Sequence, residues 1–292
     1  MITLVMRRVF SVVCLLPFAF INCVFAQDID PAYPVSKVIQ YGYTIQNTSL
    51  KVLKKAEFRT YSPVKQTSTQ KVVKLIVSHP YRLVEDELGN QVLVFEFENM
   101  PPNSAKIISI TTKLALSSKA NPSAQPAAGF LNSEPFIESS DEQILNLAQT
   151  LIAGTPYKTA ANIQQWVSSN LKSEVYIPDD RGALYALKHR SGDCTEFSYL
   201  FAALGRANAI PVRVMGGYVY ENNASLKAAD YHNWAEFYTD GVWQLADPQK
   251  KNFVAKQATY IAMRVLSPGG KGILGNSHRF STAGEGLRVT MQ

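Results

Sequence analysis

Ser191-Gly192-Asp193-Cys194-Thr195-Glu196-Phe197-Ser198-Tyr199-Leu200-Phe201-Ala202-Ala203-Leu204 is the stretch on which the reading of this 292-residue chain turns. Phe197, Leu200, Phe201 and Leu204 stand at i, i+3, i+4 and i+7, the repeat of one helix face. Asp193 is a good N-cap residue, more readily a cap than a participant in chemistry. Cys194 therefore falls at the helix N-terminus, where the macrodipole favours thiolate over thiol.

Downstream the period changes to two. Val212 to Tyr220, Asn233 to Thr239 and Val242 to Ala246 read as strands, and Asp240-Gly241 between the last two is a strong hairpin turn. His232, 38 residues after Cys194, opens the first hairpin strand, and Asp247 closes the second. They lie eight and six residues from the turn, so adjacent strands can bring them together. An imidazole that serves as base and then acid needs a third group to fix its tautomer and stabilise its charge, and Asp247 can supply it. Singly, each residue has a plainer reading: a core cysteine, a structural histidine, a turn aspartate before Pro248. Trp234 and Trp243 read as core packing. Their occurrence in this order around the last remaining cysteine favours a nucleophile, base and orienter.

Upstream, Asp141 to Ile152 and Lys158 to Leu171 carry helical apolar faces through Ile144, Ala148, Ile163 and Val167. Ser117 to Ser140, rich in Ser, Ala, Pro and Asn, reads as a linker. Before it, Ile39 to Ile45, Lys71 to Val77, Val92 to Phe97 and Lys106 to Leu114 are strand-like, with turns at Ser62-Pro63, His79-Pro80, Gly89-Asn90 and Pro101-Pro102-Asn103. That spacing predicts an antiparallel β-sandwich, with His79 a loop histidine. After the hairpin, Tyr260 to Leu266 and Gly286 to Met291 complete a sheet rather than form a tail. The partition is a signal peptide over 1–26, a β-sandwich over 27–116, a linker over 117–140 and a catalytic domain with C-terminal strands over 141–292. Helices, a cysteine helix and antiparallel strands in that order make an α+β layout.

Arg7, Arg8 and the apolar run Val9 to Phe20 read as an export signal cleaved near Gln27, which places the mature protein in the periplasm or outside the cell. Cys14 and Cys23 leave with it, so Cys194 is then the sole cysteine and an internal disulfide is excluded. The two arginines go too, leaving 27 basic against 23 acidic residues, a net charge of +4. Scattered basic residues at so mild a balance exclude a nucleic-acid face. No later run is long and apolar enough for a transmembrane helix. His189, His232 and His278 lack the paired spacing of metal ligands, and no cofactor motif is present.

Together, Ser191-Gly192-Asp193-Cys194-Thr195-Glu196-Phe197, Arg206 to Val214 with Gly216-Gly217-Tyr218, His232-Asn233-Trp234-Ala235-Glu236, Gly241-Val242-Trp243 and Asp247-Pro248 resemble the transglutaminase-like core, over roughly Asp141 to Gln249. The region Val38 to Leu116 resembles the β-sandwich that precedes this core in some exported bacterial members. The resemblance implies a papain-like triad: Cys194 as nucleophile, His232 as base and acid, Asp247 as orienter. It implies amide or acyl chemistry on a protein or peptide substrate, ending in transfer to an amine or hydrolysis by water, with Gly192 allowing close backbone approach before the cysteine. Two features depart from the pattern. Ala209 stands where the family has Gly before Ile-Pro, with Asn208 as the alternative left-handed residue. The upstream oxyanion donor has no clear counterpart, since Trp166 reads as helix core and Tyr176 is only a candidate. The competing class is a non-catalytic binding or scaffold module that keeps the same fold.

Overall fold

The computed structural model describes residues 30–126, 128–176, 179–266, 272–274 and 279–292; the expected signal segment and His278 lie outside them. Strand β1 (Val35–Asn47) buries Ile39, Tyr41, Tyr43 and Ile45 on one face, the two-residue period of a half-buried strand. The strands β2 (Leu53–Ser62), β3 (Gln70–Val77), β4 (Arg82–Glu85), β5 (Gln91–Met100) and β6 (Ala105–Leu116) follow. Pairing β3 to β6 to β1 gives one antiparallel sheet, and β2 to β5 to β4 a second. Tyr43 and Phe58 meet across them with ring centroids 4.9 Å apart, and Phe58 meets Phe95 at 5.9 Å. The expected sandwich is present. His79 packs edge-on against Phe97 and its Nδ1 lies 2.9 Å from Ser78 Oγ.

The segment expected to be a linker is instead a packed strap. Asn121 Nδ2 donates to Ala32 O and Ser68 O, Ser123 N–H donates to Gly241 O, and Phe136 stacks on Tyr199. Ile137 is 1% exposed. Its polar, aperiodic composition hid this, because the strap is held by backbone and amide bonds more than by an apolar face.

Helix α1 (Glu142–Thr150) is capped by Asp141, and α2 (Pro156–Asn170) by Thr155 with Pro156 in its first turn. After β7 (Lys172–Ser173), α3 (Ala183–His189) and β8 (Ser191–Gly192) comes α4 (Cys194–Ala207). This helix is enclosed, with α1, α2 and α3 on one side and a sheet on the other. Residues Thr195 to Arg206 are all buried, so the apolar stripe in the sequence is only the densest part of a helix covered all round. Burying a side chain such as Phe197, Leu200, Phe201 or Leu204 stabilises by about 1.5–3 kcal/mol relative to exposure.

The sheet against α4 is built from β9 (Val212–Val219), β11 (Tyr231–Thr239), β12 (Val242–Asp247), β13 (Asn252–Phe253) and β14 (Tyr260–Val265), in the order β13-β12-β11-β9-β14, all antiparallel. The short strand β10 (Ala224–Ser225) leaves this unit to pair with β1. Asp240 and Gly241 both take positive φ, as the tight hairpin turn requires. Trp234 and Trp243 are buried at 1% and 5% exposure, and Arg213 stacks 4.3 Å over Trp243.

The last two strands are placed differently from the sequence partition. β15 (Phe280–Ala283) pairs with β2, and β16 (Leu287–Met291) pairs with β1. Both extend the sandwich sheets rather than the sheet beneath α4, because β1 and β2 offer unpaired edges there. Chain reversal welds the halves together: Tyr218, Leu226, Ile261 and Met263 belong to the sandwich core. Lys37, 2% exposed, donates to Tyr220 O and Ala258 O, while the Gln70 and Asn90 side chains bond the backbone of Ala262 and Val265. Among the described residues no helix is long and apolar enough to cross a membrane.

Candidate active site

Cys194 is the first residue of α4 and partly buried. The helix start is fixed by a reciprocal cap. Asp193 Oδ1 accepts from Thr195 N–H at 2.8 Å, and Glu196 Oε2 accepts from Asp193 N–H at 3.0 Å. Asp193 thus acts as the cap the sequence suggested, and the Cys194 N–H is left out of the cap. Arg181 holds Glu196 from the other side, through its N–H at 3.0 Å and its guanidinium at 3.3 Å. Gly192 is dictated by this arrangement: a Cβ there would sit 2.3 Å from Glu196 Cβ.

His232 lies on β11, pairing with Gly217 of β9. The β11–β12 register runs from Thr239↔Val242 to Ala235↔Ala246; continued one step, it sets Asp247 opposite Trp234, a diagonal neighbour of His232 on the same face. The structure brings the two together: His232 Nε2 is 2.7 Å from Asp247 Oδ2, with side-chain exposures of 8% and 1%. An ionised carboxylate only accepts, so Nε2 carries the proton and Nδ1 is the other ring nitrogen. Asn233, next on β11, donates from Nδ2 to Thr195 Oγ1 at 3.0 Å and ties this strand to the cysteine helix.

Four further residues around Asp247 and Pro248 escaped sequence reasoning. Tyr260 on β14 donates to Asp247 Oδ2 at 2.8 Å, and the Lys250 N–H donates to Oδ1 at 3.0 Å. From α2, Gln164 Nε2 donates to the Asp247 carbonyl at 3.0 Å, and Ser168 donates to Pro248 O at 2.8 Å. The last two are polar positions inside an amphipathic helix, and Tyr260 reads as one more strand aromatic. No local pattern marks any of them as serving an aspartate on another element.

Cys194 and His232 line one cavity of about 920 Å³, with Glu174, Tyr176, Asp230 and Arg279 around it. Tyr176, the candidate oxyanion donor, is 71% exposed, and Trp166 stands apart beneath Arg190. Burial pushes the Cys194 thiol up to about 12 from an ordinary 9.0; the Asp193 and Asp247 carboxylates push the same way, and hydrogen bonds from Asn233 and Thr195 oppose them. Desolvation is the largest of these effects and raises the thiol even though the residue stands at a helix N-terminus. Burial also raises the Glu196 carboxyl and, with Asp247 adding to it, the Tyr260 phenol. Among the described residues no cluster of three or more His, Cys, Asp or Glu side chains converges as a metal site would require.

Ala209 has φ +57° and Asn208 φ −95°, so the alanine, not the asparagine, takes the left-handed position before Ile210-Pro211.

Residues 145–248 match the family model of the transglutaminase-like superfamily. Among solved structures, one from Cytophaga hutchinsonii, described as a "putative cysteine protease", aligns over 88% of this chain and 89% of its own at 19% identity, with a TM-score of 0.59. The periplasmic domain of TgpA from Pseudomonas aeruginosa, bound to ethylmercury, aligns over 74% of this chain and 91% of its own at 16% identity and a TM-score of 0.38. Red sea bream transglutaminase aligns over 76% and 49% at 11% identity and a TM-score of 0.31. No curated protein matches the sequence. The first of these likenesses extends the shared fold to the sandwich as well as the cysteine helix and its sheet. Within this α+β chain, the similarity to the transglutaminase-like superfamily is carried by residues 145–248, which hold the cysteine helix and the β9, β11 and β12 strands.

Proposed function

We propose that the protein is an exported cysteine enzyme that forms a thioester acyl-enzyme with amide substrates of proteins or peptides. The observation that carries this reading is His232, held 2.7 Å from Asp247, lining the same cavity as Cys194 at the start of α4. With Nε2–H held by Asp247, the Nδ1 lone pair is the base. It takes the Cys194 proton as sulfur attacks the amide carbonyl, and the carbonyl electron pair moves to oxygen. The Cys194 N–H at the helix start stabilises that oxyanion. Collapse re-forms the carbonyl and breaks the C–N bond, His232 returns the proton to the departing amine, and the thioester remains. His232 then deprotonates an incoming amine or water, which attacks the thioester and restores the thiol. The same residues serve both outcomes, crosslinking and hydrolysis.

Transfer of the proton to His232 answers the burial of the thiol: a lone thiolate there is costly, and a thiolate beside an imidazolium is compensated. The second reading, a scaffold module, draws on the same burial, which suits an inert core cysteine.

The test is incubation with a mixed protein substrate and a labelled primary amine, following amine incorporation and released ammonia or new peptide termini. Wild-type turnover that Cys194→Ala and Asp247→Asn both lose supports the enzyme. Turnover that survives Cys194→Ala contradicts it.

A further inference from the structure

Tyr260 touches the pair that the proposed chemistry depends on, yet no step above uses it. Its hydroxyl lies 2.8 Å from Asp247 Oδ2, the same oxygen that His232 Nε2 meets at 2.7 Å. Asn252 Nδ2 lies 3.1 Å from the Tyr260 hydroxyl and 2.9 Å from Ala255 O. An amide nitrogen only donates, so the phenol oxygen accepts from Asn252 and its single proton is committed to Asp247. The chain of donors runs in one direction, from Asn252 to Tyr260 to Asp247.

We propose that Tyr260 is a positioning residue for the catalytic pair: it competes with His232 for Oδ2 and so sets how strongly Asp247 holds the imidazole, with Asn252 fixing the phenol's polarity. This rests on the cysteine-enzyme reading. An oxygen that accepts two hydrogen bonds shares its charge between them, and removing one donor strengthens the other bond and the basicity of the imidazole behind it. The ring itself is held by packing: Tyr260 is 5% exposed and meets Trp234 edge-on at 5.1 Å. Tyr260→Phe therefore keeps the packing and deletes only the donor.

The experiment follows the His232 Nε2–H proton resonance in histidine-labelled protein, assigned by its loss in His232→Gln, together with iodoacetamide alkylation of Cys194 near neutral pH. Tyr260→Phe is expected to move the resonance further downfield and to speed alkylation about two- to tenfold, equivalent to roughly 0.3–1 unit of imidazole basicity. Asn252→Ala, which frees the phenol to turn away, moves both in the same direction by less. A folded Tyr260→Phe with resonance and rate unchanged overturns the inference while the enzyme reading stands. A wild type with neither a His232-dependent resonance nor a reactive Cys194 overturns the enzyme reading and this inference with it.

Discussion

Replacing His232 by Gln isolates what the imidazole does for the thiol. Glutamine fills much of the same space, so the Cys194 environment stays dry while the base is lost. The rise of the thiol to about 12 from an ordinary 9.0 comes from burial first and the Asp193 and Asp247 carboxylates after it, none of which the substitution removes. At about pH 8 that lowers the thiolate fraction from roughly one in ten to one in ten thousand, a deficit of about 1000-fold. A more basic thiolate is also more nucleophilic, with a Brønsted slope of about 0.4–0.5, which recovers part of the loss and leaves a net deficit of roughly 30- to 60-fold. The assay is iodoacetamide alkylation of Cys194, read by intact mass, for wild type, His232→Gln and a small-molecule thiol. The variant is expected to react about 30- to 60-fold more slowly than the free thiol, and the wild type well above the variant. Two results refute the reasoning. A variant as fast as the free thiol means that the sulfur is not desolvated, and a wild type no faster than the variant means that His232 does not take the proton.

Other consequences follow from the same geometry. The raised thiol binds its proton more tightly in the folded chain than in the unfolded one, so its contribution to stability is complete below about pH 9 and declines toward about pH 12; by about pH 10 denaturant melts should show wild type losing ~1.4 kcal/mol more than Cys194→Ala. Ala209→Gly relieves a left-handed alanine at an exposed site and should stabilise by about 1 kcal/mol, a rise of a few degrees in Tm, without altering Cys194 reactivity. Gly192→Ala forces a Cβ into Glu196 and should cost about 1–3 kcal/mol by chemical denaturation while slowing alkylation, because the displaced cap carries Cys194. An unchanged melt for either glycine-related variant argues against the local geometry described.

The parts of the fold that could be read from sequence were those with local signals. The Phe197-Leu200-Phe201-Leu204 repeat located the cysteine helix, and Asp240-Gly241 located the hairpin whose register sets His232 diagonally across from Asp247. Long-range placement had no such signal. Nothing in Phe280–Ala283 or Leu287–Met291 indicates that these strands return to β2 and β1 across most of the chain length. The described part of 117–140 reads as a linker in sequence because polar side chains can hold a segment as firmly as apolar ones without leaving a hydrophobic period. Tyr260, Gln164 and Asn252 were invisible for a related reason: the first two bond Asp247 and the third bonds the Tyr260 hydroxyl, each from a different element, and only tertiary contact reveals the service. The rise in the Cys194 thiol is likewise a property of enclosure, which a helix N-cap pattern does not report.

The central claim is that Cys194 becomes covalently acylated. The most direct measurement is intact mass after acid quenching of enzyme incubated with a glutamine- and amide-rich peptide pool. The account predicts a mass increase mapping to Cys194, removed by hydroxylamine as a thioester is, and missing in Cys194→Ala and His232→Gln. A Cys194 that stays unmodified in a protein that turns over the pool, or an adduct on another residue that survives Cys194→Ala, would contradict it.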